Sequence, residues 1–85
     1  MKSFQYTIQD AIGIHARPAG MLITEAKKFT SKIILECNGK KAEATKLMMI
    51  MMLGAKQGSE ITVCAEGEDE AAAIAAMEAF FKNNL

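Results

Sequence analysis

The chain has 85 residues, with ten basic and ten acidic side chains and one histidine. This length suffices for one hydrophobic core but not for two, so we expect a single domain over residues 1–85. The formal net charge of zero and the pI near 6.6 argue against nucleic acid as a partner. The N-terminus alternates polar and apolar residues and no apolar stretch reaches the length of a membrane span, so we expect a cytoplasmic protein without a signal peptide or membrane insertion.

The first predicted element is a strand over residues 3–9, where apolar and polar side chains alternate. From Ala16 to about Phe29, apolar residues recur at steps of three and four, which predicts an amphipathic helix. Pro18 is compatible with this helix because it falls in the first turn, where the helix needs no N–H from it.

The middle of the chain predicts a hairpin and a short helix. Residues 32–37 and 40–43 form two predicted strands, joined by Asn38-Gly39, a strong signal for a two-residue turn. The segment Thr45–Leu53 is apolar nearly throughout and predicts a helix, which Gly54 is expected to end.

The last part of the chain predicts a strand over residues 60–65 and an alanine-rich helix that runs to the end. Glu68 or Asp69 is expected to cap this helix. Its expected inner side carries Ile74, Met77 and Phe81 or Phe80. Three helices and four mostly antiparallel strands with one apolar face predict a two-layer α+β domain, with the helices on one face of the sheet.

The two cysteines, Cys37 and Cys64, lack the spacing of a redox or zinc site and are expected to be free structural thiols in strands. With one histidine and no pair of thiols close in sequence, we expect no metal site and no cofactor.

The residues that can carry chemistry are concentrated in the segment Gly13–Pro18. His15 comes just before a predicted helix start, where free N–H groups and the helix dipole favour an anion. Near pH 7 an ordinary imidazole is largely neutral and keeps a lone pair that can attack phosphorus. We expect the Arg17 guanidinium and the N–H groups of Ala16 and Arg17 to hold phosphoryl oxygens. The segment predicts a histidine that carries phosphate; taken alone, His15 could also be a cap or a surface residue.

The segment GIHARPAG resembles the phosphorylation site of HPr, the histidine-containing phosphocarrier family of the bacterial phosphoenolpyruvate-dependent sugar phosphotransferase system. Four further segments resemble the family in the same order: EAKKFTSKI at 25–33, NGKKAEA at 38–44, LGAKQGSEITV at 53–63 and AEGEDEA at 65–71. The resemblance implies an open-faced βαββαβα sandwich with a four-stranded antiparallel sheet. In it the first and fourth strands pair, and the second and third form the other half.

The resemblance also implies a phosphoryl carrier, not a complete enzyme. His15 is expected to accept the phosphoryl group on Nδ1 from phosphorylated enzyme I, and to donate it to a histidine of a sugar-specific enzyme IIA domain. One alternative is a regulatory paralogue, of a nitrogen-related or signalling branch, without direct sugar transport. Another is a plain interaction domain with a chance motif, which would take up no phosphate.

The run from Leu47 to Leu53 is too apolar for every side chain to point inward, so at least two or three are expected to face solvent. Loose methionine packing in the core is one interpretation. We favour a docking surface, because flexible thioethers can repack against several partners. In HPr-like proteins the corresponding helix and the first helix contact enzyme I and enzyme IIA domains. The expected contact residues are Leu47, Met48, Met51, Met52 and Lys27.

Two further expectations come from the resemblance. It places Lys27, Lys28 and Lys46 in segments near His15, which predicts a weakly basic face around the histidine. Many Gram-positive relatives have a regulatory serine where this chain has Lys46, and lysine cannot accept that phosphate ester. The neighbouring Thr45 differs in register, so we do not expect control through a seryl-phosphorylated form.

Overall fold

The computed structural model describes residues 1–85. Its elements are β1 (Lys2–Thr7), α1 (Ala16–Ala26), β2 (Lys32–Cys37), β3 (Lys40–Glu43), α2 (Leu47–Met52), β4 (Glu60–Glu66) and α3 (Glu70–Asn84). The predicted order βαββαβα is confirmed. No helix combines the length and the apolar character that a membrane span requires.

Several elements end at residues other than those predicted, and β4 extends one residue further, to Glu66. β1 ends at Thr7, because the following amide, of Ile8, donates to the loop oxygen of Ser59 and no longer to β4. α1 ends at Ala26, and Phe29 is reached by a turn in which its N–H donates to the Ala26 carbonyl at 3.2 Å. α2 is shorter than predicted by two residues at its start and one at its end.

The four strands form one antiparallel sheet in the order β1-β4-β2-β3. β1 pairs with β4 and β2 pairs with β3, as predicted. β2 also pairs with β4, which joins the two halves into one sheet. Asn38 and Gly39 both have positive φ, at 54° and 76°, as a two-residue hairpin turn of this kind requires.

The helices cover one face of this sheet. The buried strand residues alternate along β2 and β4: Ile33, Leu35 and Cys37, then Ile61, Val63 and Ala65. They belong to one cluster of 21 buried hydrophobic residues. α3 is held over β1 by Phe81, whose ring packs edge-on against Phe4 and Tyr6 at centroid distances of 5.9 and 5.7 Å. Met77 and Phe81 lie inward, as predicted.

Both cysteines are free thiols, as predicted. Cys37 is buried beneath the helices, whereas Cys64 is half-buried and pairs in register with Ser3 and Ile34 on the other face of the sheet. The sheet therefore separates the two thiols.

The prediction that Glu68 or Asp69 caps α3 is confirmed for the position of Asp69 and wrong for its side chain. Asp69 occupies the N-cap position of α3, but its side chain makes no capping hydrogen bond. Its carboxylate instead accepts hydrogen bonds from the Ser31 hydroxyl and from the N–H groups of Thr30 and Ser31, the last two at 2.9 Å. These bonds, that of the Ser31 hydroxyl above all, hold the pKa of Asp69 below its usual 3.8. Asp69 thus ties the start of α3 to the loop before β2.

Candidate phosphorylation site

The segment between β1 and α1 is anchored on the loop that precedes β4. The Gly58 N–H donates to the Ile8 carbonyl at 2.9 Å, and the Ile8 N–H donates to the Ser59 carbonyl at 2.9 Å. The Ile14 N–H donates to the Ala55 carbonyl at 3.2 Å. The residue before His15 is therefore fixed to the body of the protein.

Gly13 has to be glycine because the main chain comes very close to residues 55 and 56 at this position. Its φ is +82°, and a Cβ built there would lie 2.5 Å from both the Ala55 carbonyl oxygen and the Lys56 Cα. Those are main-chain atoms that cannot move aside as a flexible side chain could. Only glycine, which has no side chain, lets the main chain approach Ala55 and Lys56 this closely before it continues into His15.

His15 is the N-cap residue of α1 and has an extended backbone, with φ −119° and ψ −178°. Its side chain makes no capping hydrogen bond, so His15 occupies the cap position without its imidazole acting as a capping group. The first helical bond runs from the Ala19 N–H to the His15 carbonyl at 3.0 Å. The N–H groups of Ala16 and Arg17 have no hydrogen-bond partner, and Pro18 has no N–H to offer. Two donors at the positive end of α1 are therefore free for an anion.

His15 and Arg17 line one shallow concavity of about 240 Å³. Its other lining residues are Asp10, Pro18, Met21, Asn83 and Asn84. His15 is half-buried, Arg17 is exposed, and neither forms an ion pair. The concavity thus combines an accessible imidazole, an uncommitted guanidinium and the free end of α1.

Sequence reasoning missed Asp10 as a part of this concavity. Its Oδ1 accepts a hydrogen bond from the Ile12 N–H at 2.8 Å, and its carbonyl accepts one from the Gly13 N–H at 3.1 Å. Its own N–H donates to the Leu85 main-chain oxygen at 2.8 Å, which brings the end of α3 to the site. An aspartate that starts a loop was the available signal; the contact with α3 has no local signal.

The comparisons agree with this geometry. A family model described as the PTS HPr component phosphorylation site matches residues 2–83. The chain belongs to the HPr family of phosphocarrier proteins. HPr of Thermoanaerobacter tengcongensis has a TM-score of 0.92 and 40% identity, over 98% of this chain and 93% of that one. The histidine-containing phosphocarrier protein of Mycoplasma has a TM-score of 0.93 and 38% identity, over 96% and 93% of the two chains.

A further similar structure is Crh, the catabolite repression protein of Bacillus subtilis. It has a TM-score of 0.78 and 36% identity, over 94% of this chain and 92% of that one. The fold is therefore the open-faced α+β sandwich of the HPr family, and both named phosphocarriers and a regulatory relative share it.

The HPr resemblance was wrong about two of the lysines. Lys27 is the C-cap residue of α1, about 16 Å along the helix from Ala16 at a rise of 1.5 Å per residue. Lys28 follows it and pairs with Glu25 at 3.1 Å. About three turns of α1 separate both lysines from His15. Lys27 instead lines a second concavity, with Ala26, Phe29, Ser31, Lys32, Ile33, Glu43 and Thr45.

Five side chains of α2 face solvent, which agrees with the expectation of at least two or three. Within this HPr helix only Ile50 is buried, because so short a helix, packed on α1 and β3, turns a single residue inward. Met48 is 71% exposed and Met52 67% exposed. We call the exposed apolar residues of this helix the methionine face: Leu47, Met48, Met49, Met51 and Met52. Loose core packing does not describe them.

Two exposed apolar residues beside His15 were not predicted. Ile12, in the loop before the histidine, is 69% exposed, and Met21 lines the same concavity as His15. A single exposed apolar residue is ordinary, but Met21 lies in the concavity itself and Ile12 directly precedes the segment Gly13–Pro18. The surroundings of His15 are therefore partly apolar.

Proposed function

We propose that this chain is a cytoplasmic phosphoryl carrier of the phosphoenolpyruvate-dependent sugar phosphotransferase system, acting as one domain over residues 1–85. In this role His15 accepts a phosphoryl group from phosphorylated enzyme I and donates it to a sugar-specific enzyme IIA domain. The observation that carries the proposal is the pair of unpartnered N–H groups at the start of α1, beside an accessible imidazole.

The chemistry is an exchange between two imidazole rings. The lone pair of a His15 ring nitrogen, expected to be Nδ1, attacks the phosphorus held on the donor histidine. The new P–N bond forms as the old one breaks, and the donor ring keeps the electron pair. The phosphoryl oxygens bear the charge of the transition state. The Arg17 guanidinium and the N–H groups of Ala16 and Arg17 are the groups proposed to stabilise that charge.

An open site suits a carrier, which has to release what it accepts. The concavity is shallow, Pro18 has no N–H to donate, and Arg17 is exposed. Donors in contact with water stabilise an anion less than buried donors do. These features support a phosphohistidine that is held firmly enough to form and loosely enough to be passed on.

The proposed docking surface for enzyme I and enzyme IIA is the methionine face together with α1. The proposed contacts are Leu47, Met48, Met51 and Met52, with Lys27 at the far end of α1. α2 packs directly against α1, so its exposed thioethers are held on the helix that begins directly after His15. Flexible side chains of this kind can adapt to more than one partner, as a carrier between a donor and several acceptors requires.

A regulatory carrier without direct sugar transport is a second candidate, favoured by the similarity to Crh at 36% identity. Both candidates need the same phosphohistidine. They differ in the acceptor, because only a transport carrier passes its phosphoryl group to a sugar-specific enzyme IIA.

The test is phosphorylation by phosphoenolpyruvate and a catalytic amount of enzyme I. We expect one phosphoryl group that is labile in acid and stable in alkali, absent from His15→Ala and retained in Thr45→Ala. Label that persists in His15→Ala, or acid-stable label on Thr45, would contradict the proposal. Addition of enzyme IIA domains should then remove the label; retention against every sugar-specific domain tested would favour the regulatory candidate.

A further inference from the structure

Asp10 is the only acidic side chain that lines the concavity of His15. The charged neighbours there are Arg17 and, when protonated, His15; the remaining polar residues, Asn83 and Asn84, carry no charge. Asp10 is half-buried and lies five residues before the histidine. A phosphoryl group on His15 would therefore share this small space with a fixed negative charge.

The charge of Asp10 is not neutralised by an ion pair. No basic side chain, Arg17 included, lies within 4.0 Å of its carboxylate oxygens. The only bond to these oxygens comes from the Ile12 N–H, at 2.8 Å, so the carboxylate is fixed in place without a countercharge.

We infer that Asp10 weakens the hold of His15 on its phosphoryl group and so makes the chain a better donor, an inference that rests on the carrier function proposed above. A phosphoryl group carries roughly −1.5 to −2 charge near pH 7. Arg17 and the two free N–H groups attract it, while the Asp10 carboxylate repels it. The repulsion raises the free energy of the phosphorylated form and leaves the neutral imidazole almost unaffected, which shifts the equilibrium toward transfer.

The structure separates the electrostatic role of Asp10 from its structural role. Asp10→Asn keeps an oxygen that can accept the hydrogen bond of the Ile12 N–H, but removes the charge. Asp10→Ala removes the charge and the acceptor together. Glu66→Gln makes the same change of net charge at an exposed position on β4, outside the concavity.

The experiment measures how wild type and variant share phosphoryl groups at equilibrium. Phosphorylated, ¹⁵N-labelled wild type is mixed with an equal amount of unlabelled, unphosphorylated variant and a catalytic amount of enzyme I. Mass spectrometry then gives the phosphorylated fraction of each. We expect Asp10→Asn to retain the phosphoryl group about two- to fivefold better than wild type at low ionic strength, with the preference shrinking as salt is added.

The matched variants decide the outcome. Glu66→Gln should share phosphoryl groups equally with wild type at every salt concentration. An equal share for Asp10→Asn, or the same preference for Glu66→Gln, would overturn the role of Asp10. If wild type takes no phosphoryl group on His15 at all, the proposed carrier function itself fails. If Asp10→Ala does not retain the phosphoryl group better than wild type although Asp10→Asn does, the hydrogen bond from the Ile12 N–H also affects phosphoryl retention, separately from the charge.

Discussion

The starts of α1 and α3 differ in how they satisfy the positive end of a helix. α3 has Glu70 in its first turn, and this side chain accepts a hydrogen bond from the Gly67 N–H at 3.2 Å. The Met1 ammonium and the Gly67 N–H hold the pKa of Glu70 below its usual 4.5. α1 has no acidic residue in its first turn, and its N-cap residue, His15, makes no capping bond.

This comparison indicates what each helix start is for. The negative charge at the start of α3 belongs to the chain and serves stability. At the start of α1 the donors of Ala16 and Arg17 have no partner from the chain, and the positive helix end is available to an anion from outside. The following variants each alter one of the two helix starts or serve as its control.

The largest effect is expected from Arg17→Ala, which removes the only charged donor at the free helix end. We expect phosphoryl transfer from enzyme I to His15 to slow by about 10- to 100-fold, because preorganised donors stabilise the transition-state charge. Rapid-quench measurement of kcat/KM checks this. The transfer rate of Arg17→Lys should lie between those of wild type and Arg17→Ala, since lysine keeps the charge but lacks the planar guanidinium with its paired donors.

The control for Arg17 is Lys28→Ala, which removes one positive charge from just beyond the opposite end of the same helix. Its transfer rate should stay within about twofold of wild type, because exposed charges this far apart are largely screened. A decrease in transfer rate as large as that of Arg17→Ala would show that the overall charge around α1, and not the Arg17 guanidinium, controls the reaction.

A smaller effect is expected at α3, from Asp69→Asn. The pKa of Asp69 is lowered in the folded state, so its ionised form stabilises the fold. That contribution is fully present above the usual pKa of 3.8 and is lost as pH falls through the lowered value. Wild type should therefore have the higher urea midpoint at pH 7 and lose this advantage in acid. Equal midpoints for the two proteins at neutral pH would contradict the role of Asp69.

The contrast between Asp69 and the hairpin shows which features were predictable from the sequence. Asn38-Gly39 specifies its turn through the positive φ of two adjacent residues, and the period of α1 is visible within the helix itself. Asp69 was predicted to cap α3 because it stands before that helix. Its carboxylate bonds instead to Ser31, 38 residues away, and no local pattern indicates a contact of that range.

The same distinction holds for the site, where features set by local spacing were predicted and features that depend on distant elements were not. The motif around His15 predicted the helix start and the neighbouring arginine, because both are matters of spacing. Asp10 was missed since its role depends on a concavity that α3 helps to build. Lys27 was placed near the histidine by resemblance, and the length of α1 puts it at the other end.

The smallest effect is expected from Ala16→Glu, which gives α1 the kind of first-turn acid that α3 already has. It should stabilise the fold by about 0.3–1 kcal/mol, because a negative charge compensates the helix dipole. It should also slow transfer to His15 by a few fold, since that charge competes with the arriving phosphoryl group. Ala71→Glu, at the start of α3, is the matched variant and should leave transfer unchanged.

Amide chemical shifts on phosphorylation test the central claim most directly. After reaction with phosphoenolpyruvate and enzyme I, ¹H–¹⁵N spectra should show the amide protons of Ala16 and Arg17 moving strongly downfield as they bond the phosphoryl oxygens. The amides of Gly67 and Glu70, at the start of α3, should not move. Unchanged amides at Ala16 and Arg17 in a fully phosphorylated protein would contradict the account.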